Sequence, residues 1–192
     1  MELASASHTV HTTSSMELTE HIGLAPFTTF GIGGPARYFV RAKDLSELHE
    51  ALAFAKEKNL AAFFLGGGSN LLVSDAGFKG MVIKIECMGV EQDGDTFIAA
   101  AGESWDGLVA RAVRGHWWGI ENLSGIPGTM GGAVVQNIGA YGASLSQMLA
   151  WAEVLDTASG EIQKLSNAEC QFGYRDSIFK KEPERYVVLR AA

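Results

Sequence analysis

The run LGGGSN, Leu65 to Asn70, constrains this chain more than any other stretch. Three successive glycines leave backbone N–H groups uncovered, permit positive φ and give up side-chain burial. The next fifteen residues, LLVSDAGFKGMVIKI, supply turn residues at Asp75, Ala76 and Gly77 and a strand-like run from Met81 to Ile85, with no helical stripe. A Rossmann dinucleotide site or a Walker loop needs a helix that starts at the glycines and aims its N-terminus at a phosphate. The spacing fails both patterns. A nest of backbone N–H groups can still cradle a phosphate without a helix.

Upstream, FTTFGIGGPARYFVRA reads as a turn at Gly31, Gly33, Gly34 and Pro35 followed by a strand over Ala36 to Ala42. DLSELHEALAFAKEKN then predicts a helix capped by Asp44 or Ser46, with Leu45, Leu48, Leu52 and Ala55 on one face. LAAFFLG is a short apolar strand, so the triplet sits at the carboxyl end of the second strand of a β-α-β unit, where open sheets hold ligands.

A second unit is expected from about Asp93. It has a strand, a turn at Gly102 and a helix from about Ser104 with Leu108, Val109, Ala112 and Val113 as its apolar stripe. His116 reads as a residue of the helix C-terminus and Trp117 and Trp118 as packing. Seven glycines come between Gly119 and Gly142, in GIENLSGIPGTMGGAVVQNIGAYGAS. Either glycine loop alone is explained equally well by turns between short strands. Two in one chain favour a large or multiply phosphorylated ligand between them. WAEVLDTASGEIQKLS is a hairpin about a Ser-Gly turn. In FGYRDSIFK, Arg175 is either a surface ion pair with Asp176 or Glu182, or a planar partner for a carboxylate or phosphate.

The totals narrow the partners. With 47% hydrophobic and 19% charged residues in 192, the chain can build a core. A net charge of −7 argues against general affinity for nucleic acid or an anionic membrane, so any phosphate site must be local. No apolar run is long enough for a membrane span and the opening has no signal-peptide pattern, which gives a cytoplasmic expectation. Cys87 and Cys170 have no ligand-like spacing, so neither a disulfide framework nor a metal site is expected. The Ser-, Thr- and His-rich start reads as a disordered lead over residues 1–20, with subdomains at 21–90 and 91–192.

Four blocks, TTFGIGGPA, LGGGSNLLVSDAGF, ENLSGIPGTMGGAVVQNIGAYG and CQFGYRDSIFK, carry a family pattern in order. From about Phe27 onward the chain resembles the UDP-N-acetylenolpyruvoylglucosamine reductase family (UDP-N-acetylmuramate dehydrogenases), in its FAD-binding region. The form FGYRDSIFK is similar to the subgroup with an extra tyrosine loop. The resemblance implies an α+β fold: two FAD-binding subdomains of the vanillyl-alcohol-oxidase (PCMH) type, with FAD between them and the substrate domain absent from this sequence.

By the same resemblance, Gly66, Gly67, Gly68, Ser69 and Asn70 wrap the FAD pyrophosphate. Pro127, Gly128, Thr129, Gly131 and Gly132 form a facing loop, and Gln136, Asn137, Gly139, Ala140 and Tyr141 a wall close to the isoalloxazine. The implied reaction passes a hydride from NADPH to FAD and on to the enolpyruvyl double bond of UDP-N-acetylglucosamine enolpyruvate, in peptidoglycan synthesis. Arg175 would stabilise charge on the substrate carboxylate, with Tyr174 beside it as a substrate-binding residue. The family's catalytic serine and glutamate are expected beyond YVVLRAA, and Ser177 does not replace that serine. The 192 residues alone are therefore expected to be inactive, with a last strand left exposed. The alternatives are another flavin oxidase of this fold, and a non-catalytic nucleotide-binding fragment. The sequence leaves the oligomeric state open.

Overall fold

The computed structural model describes residues 8–11 and 16–192, which divide into two compact units, 1–86 and 87–192. Each has its own five-stranded sheet.

In the first unit β1 (His8–His11), β2 (Glu17–Gly23), β3 (Pro35–Ala42), β4 (Ala62–Leu65) and β5 (Phe78–Ile85) lie in the order β1-β2-β3-β5-β4. β1, β2 and β3 pair antiparallel, while β5 runs parallel to both β3 and β4. The two strands of the expected β-α-β unit are thus separated by β5. Between them α1 (Leu45–Glu57) packs on β3 and β5. Asp44 caps it by accepting from the Glu47 N–H at 2.9 Å. Its buried face is Leu48, Ala51 and Ala55, whereas Leu45 is exposed and Leu52 half-buried, which rotates the expected stripe toward Ala51.

The lead expected over residues 1–20 includes segments that form strands. Residues 1–7 and 12–15 lie outside the described residues, His8–His11 form β1, and Glu17 to Glu20 begin β2. A single buried apolar side chain, Leu18, anchors this part of β2, too little to register as a period in the sequence. Leu24, Ala36, Phe39, Leu65 and Val82 form a core cluster, with Phe27 stacked on Phe39 at 4.6 Å between ring centroids.

The second unit is antiparallel. β6 (Val90–Asp93), β7 (Thr96–Ala100), β10 (Trp151–Asp156), β11 (Ile162–Ser166) and β12 (Tyr186–Ala191) lie in the order β11-β10-β12-β7-β6. β8 (Gly139–Ala140) and β9 (Ala143–Ser144) make a separate small hairpin. The β10–β11 hairpin is formed as the sequence predicts. The expectation of an exposed last strand is overturned, because β12 is the middle strand and bonds β10 on one side and β7 on the other.

Three helices complete this unit: α2 (Trp105–Arg114), α3 (Met130–Gln136) and α4 (Ile178–Lys181). α2 is capped by Ser104 and buries Trp105, Leu108, Val109 and Ala112, while Val113 lies off the edge of that face and is half exposed. Within the glycine-rich segment α3 packs on β12 and β7. Sequence reasoning gave only turns there, since glycine at 131 and 132 disfavours a helix on its own.

Candidate functional site

The glycine triplet leaves β4 and turns under the segment that begins at Phe27. Gly68 has φ +66°, and a Cβ there would collide with the Phe27 carbonyl oxygen. Its own carbonyl accepts from the Thr29 N–H at 3.1 Å. Thr28, through its hydroxyl, donates to Ala25 O and Ile32 O at 3.2 and 3.0 Å and pins the neighbouring turn. The third glycine is therefore required by close backbone packing. Gly67 and Asn70 are exposed, and among the described residues neither N–H has a protein acceptor. The loop beyond them, 71–77, has no helix. A tight backbone turn, small side chains and exposed N–H groups without a protein acceptor are what a nest for the phosphates of a dinucleotide requires.

The glycine-rich segment of the second unit is tied down at several points. Asp106 accepts from the Gly125 N–H at 2.7 Å and from the Ser124 hydroxyl at 2.9 Å, which holds its carboxyl below the usual range. Gly128, at φ +130°, accepts from the Trp105 N–H at 3.1 Å. Thr129 caps α3 by accepting from the Gly132 N–H at 3.4 Å. The Gly131 N–H donates to Ala101 O at 2.9 Å, and a Cβ at Gly131 would meet the Ala101 Cβ at 2.9 Å. Of the expected facing loop, then, Gly128, Thr129, Gly131 and Gly132 all take part in hydrogen bonds of the fold itself.

Past α3 the chain reaches Asn137 in the left-handed region, then the β8–β9 hairpin with Tyr141 at φ +51° and Gly142 at φ +81°. Positive φ at both central residues is the pattern of a type I′ turn and carries the Tyr141 ring outward, where it is 91% exposed. Opposite this segment Gly173 and Asp176 exchange backbone hydrogen bonds of 2.9 and 3.3 Å about a tight turn. Tyr174 and Arg175 are its central residues, with Arg175 at φ +53°.

Arg175 forms neither of the ion pairs offered as its surface role. Asp176 meets Lys181 at 3.6 Å, and Glu182 meets Arg185 at 2.7 Å. The Arg175 guanidinium instead donates from Nη2 to Gly139 O and from Nη1 to Asn137 O at 3.4 Å, with Tyr174 beside it at 5.6 Å from ring centroid to Cζ. Among the described residues no carboxylate pairs with it. Neutral carbonyl oxygens orient the fork without cancelling its charge, so its remaining N–H groups suit an incoming anion. A Cβ at Gly139 would lie 3.0 Å from Arg175 Nη1, so glycine there makes room for the guanidinium.

Two supports have no sequence reading: Lys180, and the tethering role of Asn137, which the resemblance names only as part of the isoalloxazine wall. Lys180 donates to Arg175 O at 2.8 Å and to Gln136 Oε1 at 3.2 Å, joining both sides of the arrangement. Asn137 spans the same gap with its carboxamide, donating to Gly173 O at 2.8 Å. Neither has a local sequence signal, because the partners lie far along the chain or depend on a turn. Ser177 is fully buried and donates to Val135 O at 2.7 Å. Cys170 is buried too, and burial together with the Glu169 charge pushes its thiol up to about 11. Among the described residues there is no cluster suited to a metal ion and no helix long and apolar enough to cross a membrane.

The FAD binding domain family matches residues 36–166. The UDP-N-acetylenolpyruvoylglucosamine reductase of Streptomyces coelicolor is 46% identical over 167 residues, 87% of this chain and 44% of the relative. The crystal structure of the corresponding reductase from Thermus caldophilus superposes with a TM-score of 0.77 at 32% identity, covering 92% of this chain and 61% of that one. 6-Hydroxy-D-nicotine oxidase from Arthrobacter nicotinovorans shares the fold, with a TM-score of 0.65 at 16% identity over 99% of this chain and 43% of its own. The chain spans about half the length of the curated relatives it matches.

Proposed function

Because this chain belongs to the FAD binding domain family, we propose that it is the FAD-holding part of an enzyme that reduces UDP-N-acetylglucosamine enolpyruvate to UDP-N-acetylmuramate with NADPH, in peptidoglycan synthesis. The observation that carries the reading is Arg175: a guanidinium oriented by the carbonyls of Asn137 and Gly139 and, among the described residues, paired with no acid. The naming of the relatives supports the substrate.

When bound, FAD supplies a hydride acceptor that can be reloaded by a nicotinamide and discharged to an electron-poor double bond. Gly66 to Asn70 would hold its pyrophosphate through backbone N–H groups, and the segment from Gln136 to Tyr141 would line its ring system. Hydride delivery to an enolpyruvyl group drives negative charge onto its carboxylate. Arg175 meets those oxygens with two parallel N–H donors, and this interaction strengthens as the charge grows. Tyr174 covers the exposed side of the guanidinium and contacts the substrate. A nucleotide-sugar substrate and NADPH together imply a cytoplasmic enzyme.

The test is a titration of the FAD-loaded chain with the enolpyruvyl nucleotide sugar, followed through the flavin absorption, in the native protein and in Arg175→Met. A charge-assisted contact of about 1.5–3 kcal/mol predicts binding weakened roughly 10- to 100-fold in the variant. Equal affinity in both proteins would remove Arg175 from carboxylate recognition.

A further inference from the structure

We infer that Asn137 is a positioning residue that sets Arg175, acting on the Gly173–Asp176 turn. The inference rests on the reading of Arg175 as the group that receives a carboxylate. Asn137 is 6% exposed and adopts φ 45°, ψ 63°, where it ends α3. Its carboxamide is engaged at both ends: Nδ2 donates to Gly173 O at 2.8 Å, and Oδ1 accepts from the Ser146 N–H at 3.0 Å. Its own main-chain oxygen accepts from Arg175 Nη1 at 3.4 Å.

One residue therefore holds both the base of the arginine turn and the arginine's tip. The requirement for asparagine arises from this double duty. A left-handed residue at a helix end is glycine or asparagine by preference, and glycine has no side chain to reach Gly173. Aspartate has the reach and the shape, but it cannot donate, and it would set a carboxylate against a carbonyl oxygen. Without the Nδ2 bond, the Gly173 carbonyl loses its side-chain donor. The turn that carries Arg175 at positive φ is then held by its own two backbone bonds and by Lys180.

The experiment tracks arginine modification by phenylglyoxal, peptide by peptide, in the native chain, Asn137→Gly and Asn137→Asp. Arg111 on α2 serves as the internal reference. Asn137→Gly preserves the left-handed backbone and Asn137→Asp preserves shape, so the two fail to fold for different reasons if either does. The expected result is at least threefold faster labelling of Arg175 relative to Arg111 in both variants. FAD uptake is measured on the same samples. An Arg175-to-Arg111 ratio that stays at the native value overturns the inference. So does loss of FAD uptake with native Arg175 labelling, which would make Asn137 a flavin contact. A native chain that takes up no FAD defeats the cofactor reading, while the labelling ratio still decides the role of Asn137.

Discussion

Gly31 and Gly68 share a backbone φ of +66°, yet a Cβ would meet open space at Gly31 and the Phe27 carbonyl at Gly68. The pair separates two reasons for using glycine. A left-handed alanine costs about 1–2 kcal/mol by itself, and that is all Gly31→Ala is expected to lose. Gly68→Ala adds a clash with backbone that cannot rotate away, so its urea midpoint should fall well below that of Gly31→Ala. Equal midpoints would mean that the loop relaxes freely and that close packing is not why Gly68 is glycine. The triplet was legible in the sequence as a backbone device, but the division of labour within it was not. Which glycine packs and which presents its N–H depends on Phe27 and Thr29, some 40 positions earlier, and no local pattern encodes that approach. Arg175 was similar. Its type and setting suggested two roles, and only the partners of Asp176 and Glu182 decided against the ion pair.

Elements with local signals were legible and those made by packing were not. Asp44 and the periodicity behind it announce α1, and Ser159-Gly160 between alternating runs announces the β10–β11 hairpin. α3 exists because Thr129 caps it and β12 and β7 receive it, against the preferences of its own glycines. The middle position of β12 is equally silent in the sequence, since YVVLRA would suit an edge or a centre. The end of β10 carries a pH prediction. Burial raises the Asp156 carboxyl, but the N–H groups of Ala158 and Ser159 and the Arg185 guanidinium outweigh it and leave it below the ordinary value of 3.8. A depressed carboxyl stabilises the fold fully above that ordinary value, and the contribution disappears as pH falls through the folded value. Asp156→Asn should thus lower the urea midpoint at pH 7 and shrink the further loss between pH 5 and pH 3. Parallel pH profiles for the two proteins would show that Asp156 gains nothing from its ionisation.

At the scale of the molecule, an acidic chain of net charge −7 keeps in one unit a cation that pairs with no acid among the described residues, and in the other the exposed backbone of Gly67 and Asn70. Both are local devices for anionic groups, and neither depends on the overall charge. The four sequence blocks that carry the family resemblance fall on these devices: the turn pinned by Thr28, the glycine triplet, the segment from α3 through β8–β9, and the Arg175 turn. Family membership was legible because these are the places where backbone geometry restricts residue choice. The supports contributed by Asn137 and Lys180 were not, because they act across 36 and 5 positions through side-chain reach alone. The central claim is that this chain is built to hold FAD. Its most direct test is to titrate the purified chain with FAD, remove unbound flavin by gel filtration, and record the visible absorption of the protein peak. The account predicts flavin absorption that comigrates with the protein and saturates at one FAD per chain. A colourless protein peak from a folded chain at every FAD concentration would contradict it.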